Sequence, residues 1–212
     1  VTTTRTRLPR LVSALAVASV FSIASPGIVR ALDKSAVVAS TPSARNPLWA
    51  APRRGPGLHN FYQVSPTLYR GAQPTREGLE ELRRLGVKTV VSLRAFHGER
   101  EAVKSAGLGY ERISFKVWHP EDEDMVRFLR VATDPERQPV YVHCLRGADR
   151  TGTAVAVYRI CVQGWTKEDA IDEMANGGYT FAKRFTHLER YLRSLDVDAL
   201  RLAVPRPLGP QR

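Results

Sequence analysis

The sequence predicts an α/β fold, a three-layer sandwich with a central, mainly parallel sheet flanked by helices. Three observations carry this. Short β-branched runs, "VKTVVSL" at 87–93 and "QPVYVHC" at 138–144, have the length and composition of buried strands. Amphipathic and apolar segments of helical spacing stand between and after them. Strands and helices alternate, so helical crossovers between parallel strands are the simplest connection.

Taken in order, "FYQVSPTLYRGAQP" at 61–74 predicts two short strands around a Ser65-Pro66 turn. The next stretch, "TREGLEELRRLG", has Thr75 as N-cap, Leu79, Leu82 and Leu85 at helical spacing, and Gly86 as terminator. After the strand at 87–93 come a helix over 99–106 and a strand over 110–115. A helix over 121–134 has its acids in the first turn, where they suit the macrodipole. Past the strand at 138–144, helices are predicted over 151–163, 167–175 and 186–195, the first strongly apolar and the second amphipathic. No internal repeat is evident.

With 212 residues the chain has room for one domain and tails. Its net charge of +11 resembles a nucleic-acid footprint. The distribution argues otherwise: residues 1–57 carry +7, residues 201–212 carry +3, and the part between only +1. A nucleic-acid partner is therefore not expected. Arg5, Arg7 and Arg10 precede fourteen uncharged residues at 11–24, "LVSALAVASVFSIA", followed by Ser25-Pro26-Gly27. A basic start, an apolar stretch of about 7–15 residues and small residues near its end form a secretory signal pattern. Residues 1–31 thus read as a signal peptide, or a membrane anchor if uncleaved, and the protein as exported or anchored by that segment. Residues 32–57, with Pro42, Pro47, Pro52 and Pro56, read as a linker, 58–200 as the folded domain, and 201–212 as a basic tail.

The chemistry concentrates in "VHCLRGADRTG" at 142–152. Cys144 stands at the carboxyl end of a strand, one loop ahead of a helix, where ligands sit in such folds. The amides of Leu145, Arg146, Gly147, Ala148 and Asp149 can curl into a nest, Gly147 supplying backbone freedom, and a helix N-terminus adds positive potential. Arg150 supplies a planar fork for two phosphate oxygens. The same setting lowers the pKa of a thiol, and the Thr151 hydroxyl is near enough in sequence to bond the sulfur. A thiolate beside a bound phosphate is a nucleophile beside its target.

His143 followed by Cys144-Leu145-Arg146-Gly147-Ala148-Asp149-Arg150-Thr151 resembles the H-C-x5-R-[ST] loop of the cysteine-dependent protein tyrosine phosphatases. With "LYRGAQP" and "LGVKTVVSLR", the resemblance covers about 60–195 and points to the compact dual-specificity-like branch. It implies a phosphomonoester hydrolase with Cys144 as nucleophile through a phosphocysteine intermediate. Arg150 and the loop amides would bind phosphate and stabilise the transition state, and Thr151 would assist breakdown of the intermediate. It implies no metal and no organic cofactor. The partner is a phosphorylated substrate, a phosphoprotein, inositol phosphate or phospholipid, and the protein is expected to act as a monomer.

The family also uses an acid to protonate the leaving oxygen. Glu121, Asp122, Glu123 and Asp124 lie only 20 to 23 residues before Cys144, after "VWHP". Asp122 is the preferred donor, because the His119-Pro120 turn would present the start of its helix to the phosphate; Asp149, inside the loop, is the rival. His143 reads as structural. Arg94 borders the site or is simply solvated, and Arg146, with Lys183 and Arg184, would favour a multiply charged substrate. Cys161 reads as a small buried apolar residue. Ten helical residues at about 1.5 Å each put it about 15 Å from the loop, beyond the ~7 Å Cα limit of a disulfide. Two other readings remain, a rhodanese-like sulfurtransferase and a non-catalytic phosphate-binding module.

Overall fold

The computed structural model describes residues 45–96, 98–182 and 184–204. The strands are β1 (Ala51–Pro52), β2 (Tyr62–Ser65), β3 (Leu68–Gly71), β4 (Thr89–Ser92), β5 (Gly109–Arg112) and β6 (Val140–His143). They form one sheet in the order β1-β2-β3-β6-β4-β5. The last four in that order run parallel, and β1 and β2 add an antiparallel edge. The helices are α1 (Arg76–Arg84), α2 (Arg100–Ser105), α3 (Asp122–Ala132), α4 (Asp149–Cys161), α5 (Lys167–Asn176), α6 (Thr186–Ser194) and α7 (Val197–Ala203).

Side-chain alternation along the strands divides the interior in two. Val90 and Tyr141 join Leu79 and Leu82 of α1 and Val103 of α2. Their neighbours Val91, Val140 and Val142 pack instead with residues of α3, α4, α5, α6 and α7. Helix α4 is the centre of this larger core. Every residue from Thr151 to Cys161 is buried, as expected of a helix without a polar face. The starts of α1 and α5 are set by side-chain caps, Thr75 Oγ1 accepting from the Gly78 amide and Thr166 Oγ1 from the Asp169 amide.

The chain departs from expectation at both ends of the domain. Folded structure reaches back to Arg45, so residues 45–57 are not linker. The Ala50 amide donates to Glu173 Oε1 at 2.6 Å, and β1 pairs with β2. Arg45 donates to Ala50 O at 2.7 Å, to the Tyr179 hydroxyl at 3.0 Å, and to Gly177 O. Apart from Ala50 O and β2, these partners lie far along the chain, and no local periodicity announces them. At the other end, residues 201–204 are not tail: α7 is capped by Asp196, and Leu200 and Val204 enter the larger core. The expected leader at 1–31, the rest of the linker at 32–44, and residues 205–212 lie outside the described residues. No helix among the described residues is long and apolar enough to cross a membrane.

An ion pair crosses the larger core. Glu173 accepts from Arg159 Nε at 2.7 Å and from Nη2 at 3.0 Å, and its Oε1 also accepts from the Tyr179 hydroxyl at 2.9 Å. Burial pushes the Glu173 carboxyl up, but Arg159 and the bonds from Ala50 and Tyr179 outweigh this and hold it below the usual carboxylate range. A carboxyl lowered by folding stabilises the fold fully above its ordinary value of 4.5, and that contribution is lost as pH falls through the lowered value. Glu173→Gln should therefore destabilise the protein by about 3–5 kcal/mol in neutral urea unfolding. The gap between variant and parent should narrow below pH 4.5.

Candidate active site

Parallel pairing brings the carboxyl ends of three strands level, with Gly71 of β3 and Ser92 of β4 both in register with His143 of β6. The loop from Cys144 to Ala148 leaves that edge and enters α4 at Asp149. Four of its five carbonyls are held from outside it, and the fifth, Ala148 O, accepts from the Gly152 amide within α4. Cys144 O lies 3.1 Å from His143 Nδ1, and Leu145 O accepts from the Gln73 amide at 3.3 Å. Arg146 O accepts from Asn60 Nδ2 at 2.9 Å, and Gly147 O from Arg70 Nη2 at 2.8 Å. Fixing four successive carbonyls outward leaves the loop amides to face the interior of the curve, which makes an anion nest. Gly147 is required here. Its φ is +71° and a Cβ would come within 2.4 Å of the Gly71 carbonyl group.

The Cys144 side chain is almost wholly buried. Burial pushes its thiol pKa up, but the Thr151 hydroxyl, the Arg150 guanidinium and the amides of Thr151 and Gly147 outweigh burial and hold it below the ordinary thiol range. Thr151 is fully buried, and its hydroxyl is the first of the groups that lower the Cys144 thiol. Arg150 is steadied by donating from Nη1 to Leu93 O at 3.1 Å, at the end of β4. Cys161 differs. Burial pushes it up to about 11, and both cysteines are free thiols.

Behind the nucleophile runs a chain of polar contacts. His143 Nε2 lies 2.9 Å from Glu99 Oε1, Glu99 Oε2 accepts from Gln73 Nε2 at 3.0 Å, and Gln73 Oε1 accepts from Arg94. Burial raises the Glu99 carboxyl, yet His143, Ser92 and Gln73 together lower it below the usual range. His143 and Arg94 thus enter as supports of the loop. Arg146 and Leu145 project outward, Leu145 being 52% exposed, while Ala148 is buried. Among the described residues no cluster of three or more His, Cys, Asp or Glu side chains is arranged to hold a metal.

Asp122 is turned away from the loop, and Asp149, at the helix start, has one carboxylate oxygen engaged. Asp122 Oδ1 accepts from the Tyr191 hydroxyl at 2.7 Å, and its charge acts on Tyr191 and on Cys161. Cys161 ends α4, roughly 18 Å from the helix start at the loop. Helix α3 turns Asp122 toward α6, so the turn at His119-Pro120 does not deliver it. Asp149 Oδ1 accepts from the Ala182 amide at 2.8 Å and tethers the segment before α6 to the start of α4. Arg184 lies on that segment, its guanidinium 5.0 Å from the Phe185 ring, and Lys183 lies outside the described residues. Asp124 is the acid of the cluster raised by burial and by Glu121, against the lowering effect of Arg127 and Lys116.

Reading the sequence missed Asn60, Arg70, Gln73 and Glu99. Arg70 alone left a signal, since it follows Leu68 by two in β3 and so occupies the buried phase of the strand.

Residues 59–189 match the family described as DSP-PTPase phosphatase fused to NAD+ kinase. The dual specificity protein phosphatase TpbA of Pseudomonas aeruginosa is 39% identical over 173 residues, covering 78% of this chain and 75% of that one. The chain belongs to the DSP-PTPase phosphatases. The crystal structure of P. aeruginosa TpbA matches this phosphatase with a TM-score of 0.67, covering 76% of this chain and 99% of that chain at 38% identity. A cysteine-to-serine variant of TpbA has been solved in complex with pTyr. An inositol diphosphatase of Arabidopsis thaliana is 29% identical over 150 residues, covering 67% of this chain and 74% of its own. The fold extends to the core catalytic domain of a PP-IP phosphatase of S. cerevisiae at a TM-score of 0.60 and 23% identity, covering 67% of this chain and 88% of that one. This phosphatase is thus a cysteine-dependent enzyme, and the sulfurtransferase and binding-module readings fall away.

Two outcomes follow for this phosphatase. Iodoacetamide at neutral pH should label Cys144 and leave Cys161 untouched, read by peptide mass spectrometry, because the first thiol is lowered and the second stands at about 11. Asp122→Asn should change kcat on an aryl phosphate by less than about threefold, whereas loss of a working general acid costs about 100-fold or more.

Proposed function

We propose that the enzyme hydrolyses phosphotyrosine in protein substrates through a phosphocysteine intermediate. The four outward-held carbonyls carry this reading, because they preorganise the amide nest before substrate arrives. The phosphate enters with its oxygens on the loop amides and the Arg150 fork, which also stabilise the charge that develops in transfer. The Cys144 thiolate attacks phosphorus, the S–P bond forms as the P–O bond to the leaving group breaks, and that oxygen takes a proton from solvent. Water then attacks phosphorus and releases a proton to solvent, the S–P bond breaks, and the Thr151 hydroxyl stabilises the departing thiolate.

The substrate choice is supported by the rim and by the relatives. Phe96, Trp118 and Leu145 are exposed apolar side chains on the segments that follow β4, β5 and β6. They stand at the carboxyl edge of the sheet with the loop, where an aromatic leaving group would find apolar contact. TpbA, a close relative in sequence, has been solved with pTyr. A second reading, inositol phosphates, is favoured by the cations Arg94, Arg146 and Arg184 near the same edge and by the Arabidopsis relative's name. The basic start and apolar stretch at 1–24 support an exported phosphatase, or one anchored by that segment.

The test is kcat/KM for a phosphotyrosine peptide, a phosphoserine peptide and an inositol pyrophosphate, with Cys144→Ser as blank. The proposal expects the phosphotyrosine peptide to lead by at least about tenfold, roughly 1.4 kcal/mol of transition-state preference. A lead by the inositol compound, reduced by Arg146→Ala, would establish the second reading.

A further inference from the structure

Arg70 lies wholly inside the protein, with no solvent exposure. Its guanidinium carbon sits 3.6 Å from the centroid of the Tyr179 ring, and Nη2 donates to Gly147 O at 2.8 Å. Nε and Nη1 find no hydrogen-bond acceptor among the described residues, and no carboxylate lies within salt-bridge distance. Buried charges are ordinarily paired, because removing an ion from water without a partner is costly. A guanidinium kept here needs an anion to answer it. The charged and titratable groups that face it are Tyr179, Glu173, Cys144 and Tyr62. Glu173 is paired with Arg159, and burial pushes the Tyr179 hydroxyl up to about 12. Glu173 acts on Arg70 more strongly than Cys144 does, and Cys144 is the anion on the loop side of the guanidinium.

We propose that Arg70 is a positioning residue of the phosphatase reaction: from beneath the loop it orients the Gly147 peptide and supplies a fixed positive charge that keeps Cys144 a thiolate. The two roles come from one side chain because a planar fork can hold a carbonyl with one nitrogen while its charge acts through the loop. Tyr179 steadies the cation by its ring face, a contact that strengthens when water is excluded. The role is additional to Arg150, which stands at the loop's lip, half-buried, where it can meet substrate. Cys144 is faced by Arg150, Arg70 and Tyr141, and by Glu99 through His143. Arg70 is the member of that set that is both cationic and closed to solvent. The inference rests on the cysteine chemistry and is independent of which phosphomonoester the enzyme takes.

The experiment measures iodoacetamide alkylation of Cys144 against pH in the full chain, comparing wild type with Arg70→Met, which fills similar space without charge. The midpoint should rise by about one pH unit, so that at a pH below both midpoints the thiolate fraction falls about tenfold. kcat on an aryl phosphate should fall at least tenfold at pH 6 and recover in part at higher pH, with a smaller change in KM. A merely structural Arg70 would leave the midpoint in place whatever the loss of stability, and that result overturns the proposal. A second measurement does not depend on the variant's folding. In the wild type, the 15N resonances of the Arg70 guanidinium should shift with the Cys144 midpoint, and the inflection should vanish in Cys144→Ser. Its presence in both proteins, or its absence from both, overturns the proposal as well. A wild-type Cys144 that alkylates only at the ordinary thiol midpoint would instead overturn the cysteine mechanism itself.

Discussion

The outward anchoring of four consecutive carbonyls, from Cys144 to Gly147, is the constraint on which the rest of this structure depends. A peptide's carbonyl and amide point in opposite directions, so whatever holds the first aims the second. The donors come from four separate places: the ring of His143, the amide of Gln73, the side chain of Asn60 and the guanidinium of Arg70. None belongs to the loop's own turn chemistry. An anion nest built this way needs no reorganisation when phosphate arrives, and preorganisation of that kind is the main source of electrostatic catalysis.

The sheet exists in the form it does to bring those donors together. Parallel register levels β3, β6 and β4 at one edge, and the close approach of Gly147 to Gly71 shows how tightly the loop is seated on it. Below, Arg70, Tyr179, Glu173 and Arg159 form a buried polar seam from the loop to the segment at Arg45 and Ala50. A seam of this kind contributes less to net stability than an apolar core of equal volume, and it selects one arrangement, since each member left unpaired is costly. Here that arrangement includes the first turns of the domain, which locks β1 to α5 and the loop to both.

Most elements were legible in the sequence for a local reason. The helices starting at Thr75 and Thr166 advertise their caps and spacing, and Val90-Val91 and Val140-Tyr141-Val142 advertise strands buried on both faces. β1 and α7 were missed because two residues of strand carry no period, and because α7 earns its place through Leu200 and Val204 against a core assembled elsewhere. Asp122 was misjudged for a related reason. Proximity along the chain to Pro120 says nothing of which way α3 is rolled, and the roll is set by Met125, Phe128 and Leu129 in the core. Asp149 was read as inside the loop; in the structure it opens α4, and one of its carboxylate oxygens accepts from an amide 33 residues away.

By itself the sequence determined the nucleophile loop, since Cys144, Gly147, Arg150 and Thr151 fall within eight consecutive residues and their spacing is a local property of one turn and one helix start. It also determined the order of the strands and helices between β1 and α7, through periodicities of two and 3.6 that short windows reveal. The tertiary structure alone decided what tunes and supports that loop. Asn60, Arg70, Gln73 and Glu99 reach it across 44 to 86 positions of chain. Contacts at such separation arise from strand order and register, which depend on how all the elements pack at once, and no stretch of residues encodes them alone.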